Sequence, residues 1–125
     1  MLPKEYRLKK KRDFEIAFEN GRFVGGALTT MKVWQINPQK YPKRGYAVDM
    51  LKIGFVVGKK VSKSAVKRNR VKRQMREVVR LLQKGGRLRQ GYLLIVMAKP
   101  GILDVSYPEI EKDLTAVLAR ARVLL

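Results

Sequence analysis

Ser64-Ala-Val-Lys-Arg-Asn-Arg-Val-Lys-Arg-Gln-Met-Arg-Glu-Val-Val-Arg-Leu-Leu-Gln-Lys-Gly-Gly86 is the stretch whose reading decides the fold. Ser64 carries an N-capping side chain and Gly85-Gly86 a stop, so the spacing predicts a helix from Ser64 to about Gln83, about 30 Å long. At about 100° per residue, Val71, Met75, Val78, Val79 and Leu82 form one stripe. Asn69, Arg73, Arg76 and Arg80 fall on the opposite side, with Lys72 beside them and Arg68 and Arg70 at the flanks. The apolar stripe needs a layer to bury it, and the neighbouring segments predict a sheet.

Upstream, Leu51 to Val57 reads Leu-Lys-Ile-Gly-Phe-Val-Val, a nearly continuous apolar run of the kind buried on both faces. Downstream, Tyr92 to Ala98 is a second such strand, closed by Lys99-Pro100-Gly101. Leu28 to Ile36 alternates loosely and holds Thr29, Thr30, Val33 and Trp34, which predicts a strand; Pro38, Pro42 and Gly45 then mark a basic loop. Nearer the start, the basic run Arg7 to Arg12 enters a short helix from Asp13 to about Asn20, with Phe14, Ala17 and Phe18 on one face and Gly21 as its stop. A last helix from about Pro108 to Arg122 aligns Ile110, Leu114, Val117, Leu118 and Ala121. These elements predict an α+β chain, one domain over residues 1–125, with helices packed on one sheet. A chain of 125 residues with 46% apolar content supports one core region.

Charge narrows the function. The 29 Lys and Arg against 10 Asp and Glu leave +19, and a compact body so charged repels itself unless a polyanion neutralises it. Nucleic acid is the expected partner. The sequence shows no apolar run of membrane-spanning length and no apolar signal core near Met1, so a cytoplasmic protein that neither crosses nor enters a membrane is expected. Zero cysteine and zero histidine remove disulfides, thiolate metal sites and the commonest general base. From Lys59 to Arg89 there are thirteen basic residues and one acid, Glu77. A solvated face normally interleaves both signs, so this one reads as a phosphate-binding surface, with arginine suited to bidentate contacts. Asn69 has an amide able to reach a sugar or base; its plainer reading is an ordinary surface residue.

Phe14 and Phe18, one turn apart, admit two readings: core residues, or rings on which single-stranded bases stack beside a cationic surface. Gly58 with Lys63-Ser64 falls short of a phosphate-binding loop, because the second glycine is missing and the spacing is one short. The ten acids are scattered, with Asp13, Glu15 and Glu19 on the first helix and Glu109, Glu111 and Asp113 on the last. Nucleases that hold metal ions cluster carboxylates, so RNA binding without cutting is expected.

Ile53-Gly-Phe-Val-Val-Gly-Lys-Lys60, followed by Ala65-Val-Lys-Arg-Asn-Arg-Val-Lys-Arg-Gln-Met-Arg-Glu77, resembles the signature of the bacterial ribonuclease P protein family. Arg7-Leu-Lys-Lys-Lys-Arg-Asp-Phe-Glu-Ile-Ala-Phe18 with Gly21 resembles that family's first helix, and the likeness covers nearly the whole chain. The resemblance implies an α/β sandwich of order αβββαβα, with a four-stranded sheet and a left-handed crossover through the basic helix. It also implies a protein subunit that partners a catalytic RNA, one protein per RNA, while that RNA hydrolyses precursor tRNA with Mg²⁺ and releases the 5′ leader. Carried over by position, Phe14 and Phe18 would line a leader cleft, and Lys60, Arg68, Asn69, Arg70, Lys72, Arg73, Arg76 and Arg80 would face RNA. The family often has an aromatic residue near Met31 or Lys32, so Lys32, or Trp34 in a shifted register, would complete the cleft. The loop from Asn37 to Tyr46 is more basic and aromatic than the family needs. A general RNA-binding protein and a protein-only nuclease are the competing functional classes.

Overall fold

The computed structural model describes residues 2–125. Helix α1 (Lys11–Asn20) leads into strands β1 (Arg22–Gly25), β2 (Thr29–Gln35) and β3 (Leu51–Val56); the long helix α2 (Ala65–Lys84), strand β4 (Tyr92–Ala98) and helix α3 (Tyr107–Arg120) follow. The fold is α+β in the expected order, with one four-stranded mixed sheet ordered β1-β2-β4-β3. The β1-β2 and β2-β4 pairs are antiparallel, whereas β3 and β4, joined through α2, are parallel. Strand β1 escaped the sequence reading because it is four residues long with one buried residue, Val24.

Period-2 alternation sends side chains to both sheet faces, and each face has its own core. Met31, Val33, Leu51, Ile53, Leu94 and Val96 pack against the apolar stripes of α2 and α3. On the reverse face Trp34, Leu93 and Ile95 pack with Leu8, Ile16 and Ala17. The stripe read on α2 is buried at Val71, Met75, Val78 and Val79, while Leu82 is partly buried. The Ser64 hydroxyl caps that helix, accepting from the Lys67 N–H at 3.3 Å.

Helix α1 crosses the second face from β3 to β2. A Cβ on Gly54 would stand 2.5 Å from the Phe14 ring, and one on Gly21 would stand 3.2 Å from the Val33 nitrogen. Gly21 stops α1 through close packing, with extended backbone rather than a left-handed turn. Its added Cβ would also collide with the Ala17 carbonyl.

The basic loop 37–46 is fastened along one side of α1. Asp13 and Asn20 lie two turns apart and share a face. Asp13 Oδ1 accepts from Arg44 and from the Tyr46 hydroxyl, both at 2.6 Å. Asn20 Nδ2 donates to the Tyr41 hydroxyl at 2.9 Å. Burial alone would raise the Asp13 pKa, but hydrogen bonds from Tyr46 and Arg44 outweigh it and hold the carboxyl below its usual range. Burial and the bond to Asp13 push Tyr46 up to about 12.

A carboxyl depressed in the folded state stabilises the fold above its unfolded pKa, and that contribution disappears as pH falls through the folded value. Asp13→Ala should therefore cost about 2–3 kcal/mol near neutrality, because it leaves the Arg44 charge half-buried without its partner. Urea unfolding of both proteins checks this: the gap should shrink below about pH 4. A gap that stays constant as the pH is lowered below about 4 would show that the carboxylate charge is not its cause.

Candidate nucleic-acid interface

The residues read as RNA-facing, Lys60 just before α2 and the others on it, stand in two different circumstances. Lys60, Asn69, Arg70 and Arg73 are exposed, while Arg68, Lys72, Arg76 and Arg80 are half-buried. Arg68 donates to the Ser62 carbonyl at 2.9 Å, and Arg70 to the Leu103 carbonyl at 3.1 Å. These bonds tie the start of α2 to its neighbours while leaving both guanidinium charges unneutralised. Arg80 differs, since it grips Glu77 through two bonds of 2.9 and 2.6 Å. Its hydrogen bond holds the Glu77 carboxyl below the usual range. An arginine already spending its charge on a carboxylate has less to offer a phosphate. Periodicity groups Arg80 with Arg73 and Arg76; the ion pair separates it from them.

The aromatic residues also divide. Phe18 is 40% exposed, and Phe14 is half-buried over Gly54. Trp34 corrects the sequence reading: it shares the α1 face of the sheet but is only 6% exposed. Tyr41 and Tyr46 meet its ring edge-on, with centroids 5.8 and 5.4 Å away. The loop that follows β2 folds back over this end of the sheet, so the indole is core and offers no stacking surface. One residue pair further along β2, Lys32 remains half-exposed.

The side of α1 away from the loop is open. There Thr30, Met97 and Val56 form one row across β2, β4 and β3. Thr30 and Met97 are half-exposed, and Val56 is 36% exposed. Phe23, paired with Lys32 from the edge strand β1, is 63% exposed on the same face. Sequence reasoning missed Phe23 because it missed β1. The signal was a ring two residues past the glycine that ends α1, where the chain must turn back to the sheet.

These two surfaces meet at the β3 edge. Phe14 from α1, Gly54 and Phe55 from β3, and Arg76 from α2 line one cavity of about 180 Å³, with Arg7 and Lys9 on its rim. The Arg76 guanidinium lies 5.9 Å from the Phe55 ring centroid, within cation–π reach. An aromatic ring, a cation and a glycine floor thus share one opening. The acids do not join them. Asp13 is occupied as described, and Asp113 accepts from the Ala27 and Leu28 amides and the Thr29 hydroxyl, fixing the β1-β2 turn. Among the described residues, no three of His, Cys, Asp and Glu gather as a metal-holding group, and no helix is long and apolar enough to cross a membrane.

The family model described as Ribonuclease P matches residues 2–122. The chain belongs to the ribonuclease P protein family. A ribonuclease P protein component from Synechococcus sp. (strain JA-2-3B'a(2-13)) is 36% identical over 124 residues, covering 99% of this chain and 87% of the relative. One from Symbiobacterium thermophilum is 35% identical, covering 98% of this chain and 96% of the relative. Among solved structures, the Staphylococcus aureus RNase P protein superposes with a TM-score of 0.77 at 27% identity, covering 98% of this chain and 100% of that one. The Thermotoga maritima RNase P protein shares the fold, with a TM-score of 0.72 at 24% identity and coverage of 91% and 96%. Membership makes this chain a protein subunit of ribonuclease P, which processes tRNA.

Proposed function

We propose that the protein binds the catalytic RNA of ribonuclease P through α2 and holds the single-stranded 5′ leader of precursor tRNA along the open side of α1. The RNA subunit carries out the endonucleolytic hydrolysis that leaves the mature tRNA 5′ end. The single observation that carries this reading is the cavity where the Phe14 ring, Gly54 and Arg76 meet. Stacking rings beside cations suit an extended single strand, because every base has a π-face and every linkage has a charge. Phe18, Phe23 and Lys32 extend the same surface. Mg²⁺, which neutralises charge and activates the attacking water in such hydrolysis, is assigned mainly to the RNA. The scattered carboxylates of this chain support that assignment. One protein per RNA and a cytoplasmic site of action complete the proposal.

Cleavage of a precursor tRNA by the protein alone, by a bacterial ribonuclease P RNA at low Mg²⁺, and by both together tests it. Cleavage at the correct 5′ end should require the RNA and be stimulated by the protein. One solved S. aureus structure is of a mutant described as having defective mRNA degradation activity; correct cleavage by this protein alone would favour a protein-only nuclease here. No stimulation would favour a general RNA-binding protein.

A narrower test uses the glycine floor. Gly54→Ala should push the Phe14 ring away from the sheet, because the new methyl would lie 2.5 Å from it. Together with Phe18→Leu, it should weaken binding of leader-bearing tRNA by about 1–3 kcal/mol per stacked base and leave mature tRNA binding nearly unchanged. An equal loss for both substrates would return the two rings to a purely structural role.

A further inference from the structure

On the loop side of α1, the N-terminal segment and β3 enclose a cavity of about 250 Å³, which shares Arg7 and Lys9 with the cavity on the groove side. Lys4, Arg7, Lys9, Lys10 and Lys52 line it, together with Arg44. Arg7 commits only Nε, to the Leu2 carbonyl at 2.7 Å, and Lys52 reaches the Glu5 carbonyl at 3.3 Å. The Lys4, Lys9 and Lys10 side chains make no hydrogen bond or ion pair with any described residue. Asp13 is the one acid in the wall, and it is held by Arg44 and Tyr46. The cavity therefore concentrates cations without neutralising them.

Such a cluster is costly unless a multivalent anion occupies it. Lys10 is also the N-cap of α1 and has no side-chain capping bond, so the positive end of the helix dipole adds to the same field. A metal cation is repelled here. A dense anion with several acceptor oxygens fits, and phosphate groups supply them.

We propose that this cavity is a second phosphate site, taking phosphate groups of RNA on the opposite side of α1 from the leader groove. This gives a purpose to two features outside the groove, Lys10 of the basic run that enters α1 and Arg44 of the basic loop. The assignment to RNA rests on the function proposed above, whereas the phosphate chemistry stands independently of it. The RNA is either a leader long enough to pass around α1 or a strand of the catalytic RNA.

The first measurement titrates inorganic pyrophosphate into the full chain and follows the Met50 methyl resonance, since Met50 lines the cavity. A saturable shift is expected, with at least tenfold weaker binding in Lys10→Ala/Lys52→Ala and an unchanged thermal melt. No shift, or the same midpoint in both proteins, overturns the proposal. The second measurement takes the salt dependence of binding to a leader oligoribonucleotide and to the catalytic RNA separately. The double variant should flatten the log-log slope by about 0.7–0.9 per lost phosphate contact for whichever RNA occupies the site. If wild-type binding is intact and neither slope changes, RNA does not occupy this site. Failure of the wild type to bind either RNA would instead defeat the function proposed above.

Discussion

Trp34→Ala should cost about 3–5 kcal/mol of folding free energy, the usual consequence of truncating a large aromatic residue in a packed core. The indole is 6% exposed beneath the folded-back loop, where Tyr41 and Tyr46 meet its edges. Leu93 lies opposite it in the β2-β4 register, within the same cluster as Ile95 and Ile16. Removing the ring would leave a void between loop, helix and sheet that these neighbours can close only in part. A domain of this kind has only about 5–15 kcal/mol of net stability, so the variant should melt at a much lower temperature. Trp34 is the sole tryptophan, so far-UV circular dichroism is the suitable readout for both proteins. Once folded, the variant should bind leader-bearing and mature tRNA in the wild-type ratio. A selective loss for the leader with little change in stability would restore Trp34 to the groove.

The second large effect concerns charge. Replacing Lys60, Arg73 and Arg76 together by alanine should flatten the salt dependence of RNA binding by about 2–3 in log-log slope, at 0.7–0.9 per phosphate contact. Near 0.1 M salt that corresponds to a loss of about 10²–10³-fold in affinity. Lys60 and Arg73 are exposed, and Arg76 lines the cavity that also holds Phe14. None of the three side chains forms an ion pair or a hydrogen bond with a described residue. Arg80→Ala supplies the internal contrast. Its guanidinium is held by Glu77 through two hydrogen bonds, so removing it also releases a carboxylate charge. Its slope should change through that added negative charge rather than through a lost phosphate contact. A normal slope in the triple variant would show that α2 does not face RNA.

The apolar stripe of α2 was legible because a helix repeats its environment every 3.6 residues. Four of the five stripe residues are buried accordingly. Strand β4 was legible for a related reason: Leu94 and Val96 face one core while Leu93 and Ile95 face the other, and burial on both faces leaves no polar positions; β3 reads alike but forms the sheet edge, where Lys52 is half-buried and Val56 exposed. The charge excess was legible because it is a sum and needs no geometry. The resemblance supplied the four-stranded sheet, whose shortest strand carries too few residues to show a period.

Other properties depend on which distant segments meet. Phe14 and Phe18 sit on one helical face, yet one ring rests over Gly54 and the other is exposed, because α1 crosses the sheet at an angle that strand register and Gly21 determine together. Trp34 and Lys32 occupy equivalent alternating positions on β2. Only the return of the 37–46 loop buries the first and spares the second. Arg80 and Arg73 are equally basic on the helical wheel, and the Glu77 rotamer distinguishes them. The sequence by itself determined the basic helix around Arg68-Asn69-Arg70, its buried stripe and the need for a polyanionic partner, because periodicity and net charge are local or additive. The tertiary structure decided which aromatic rings and cations remain available to that partner, because availability depends on what packs against each side chain from elsewhere in the chain.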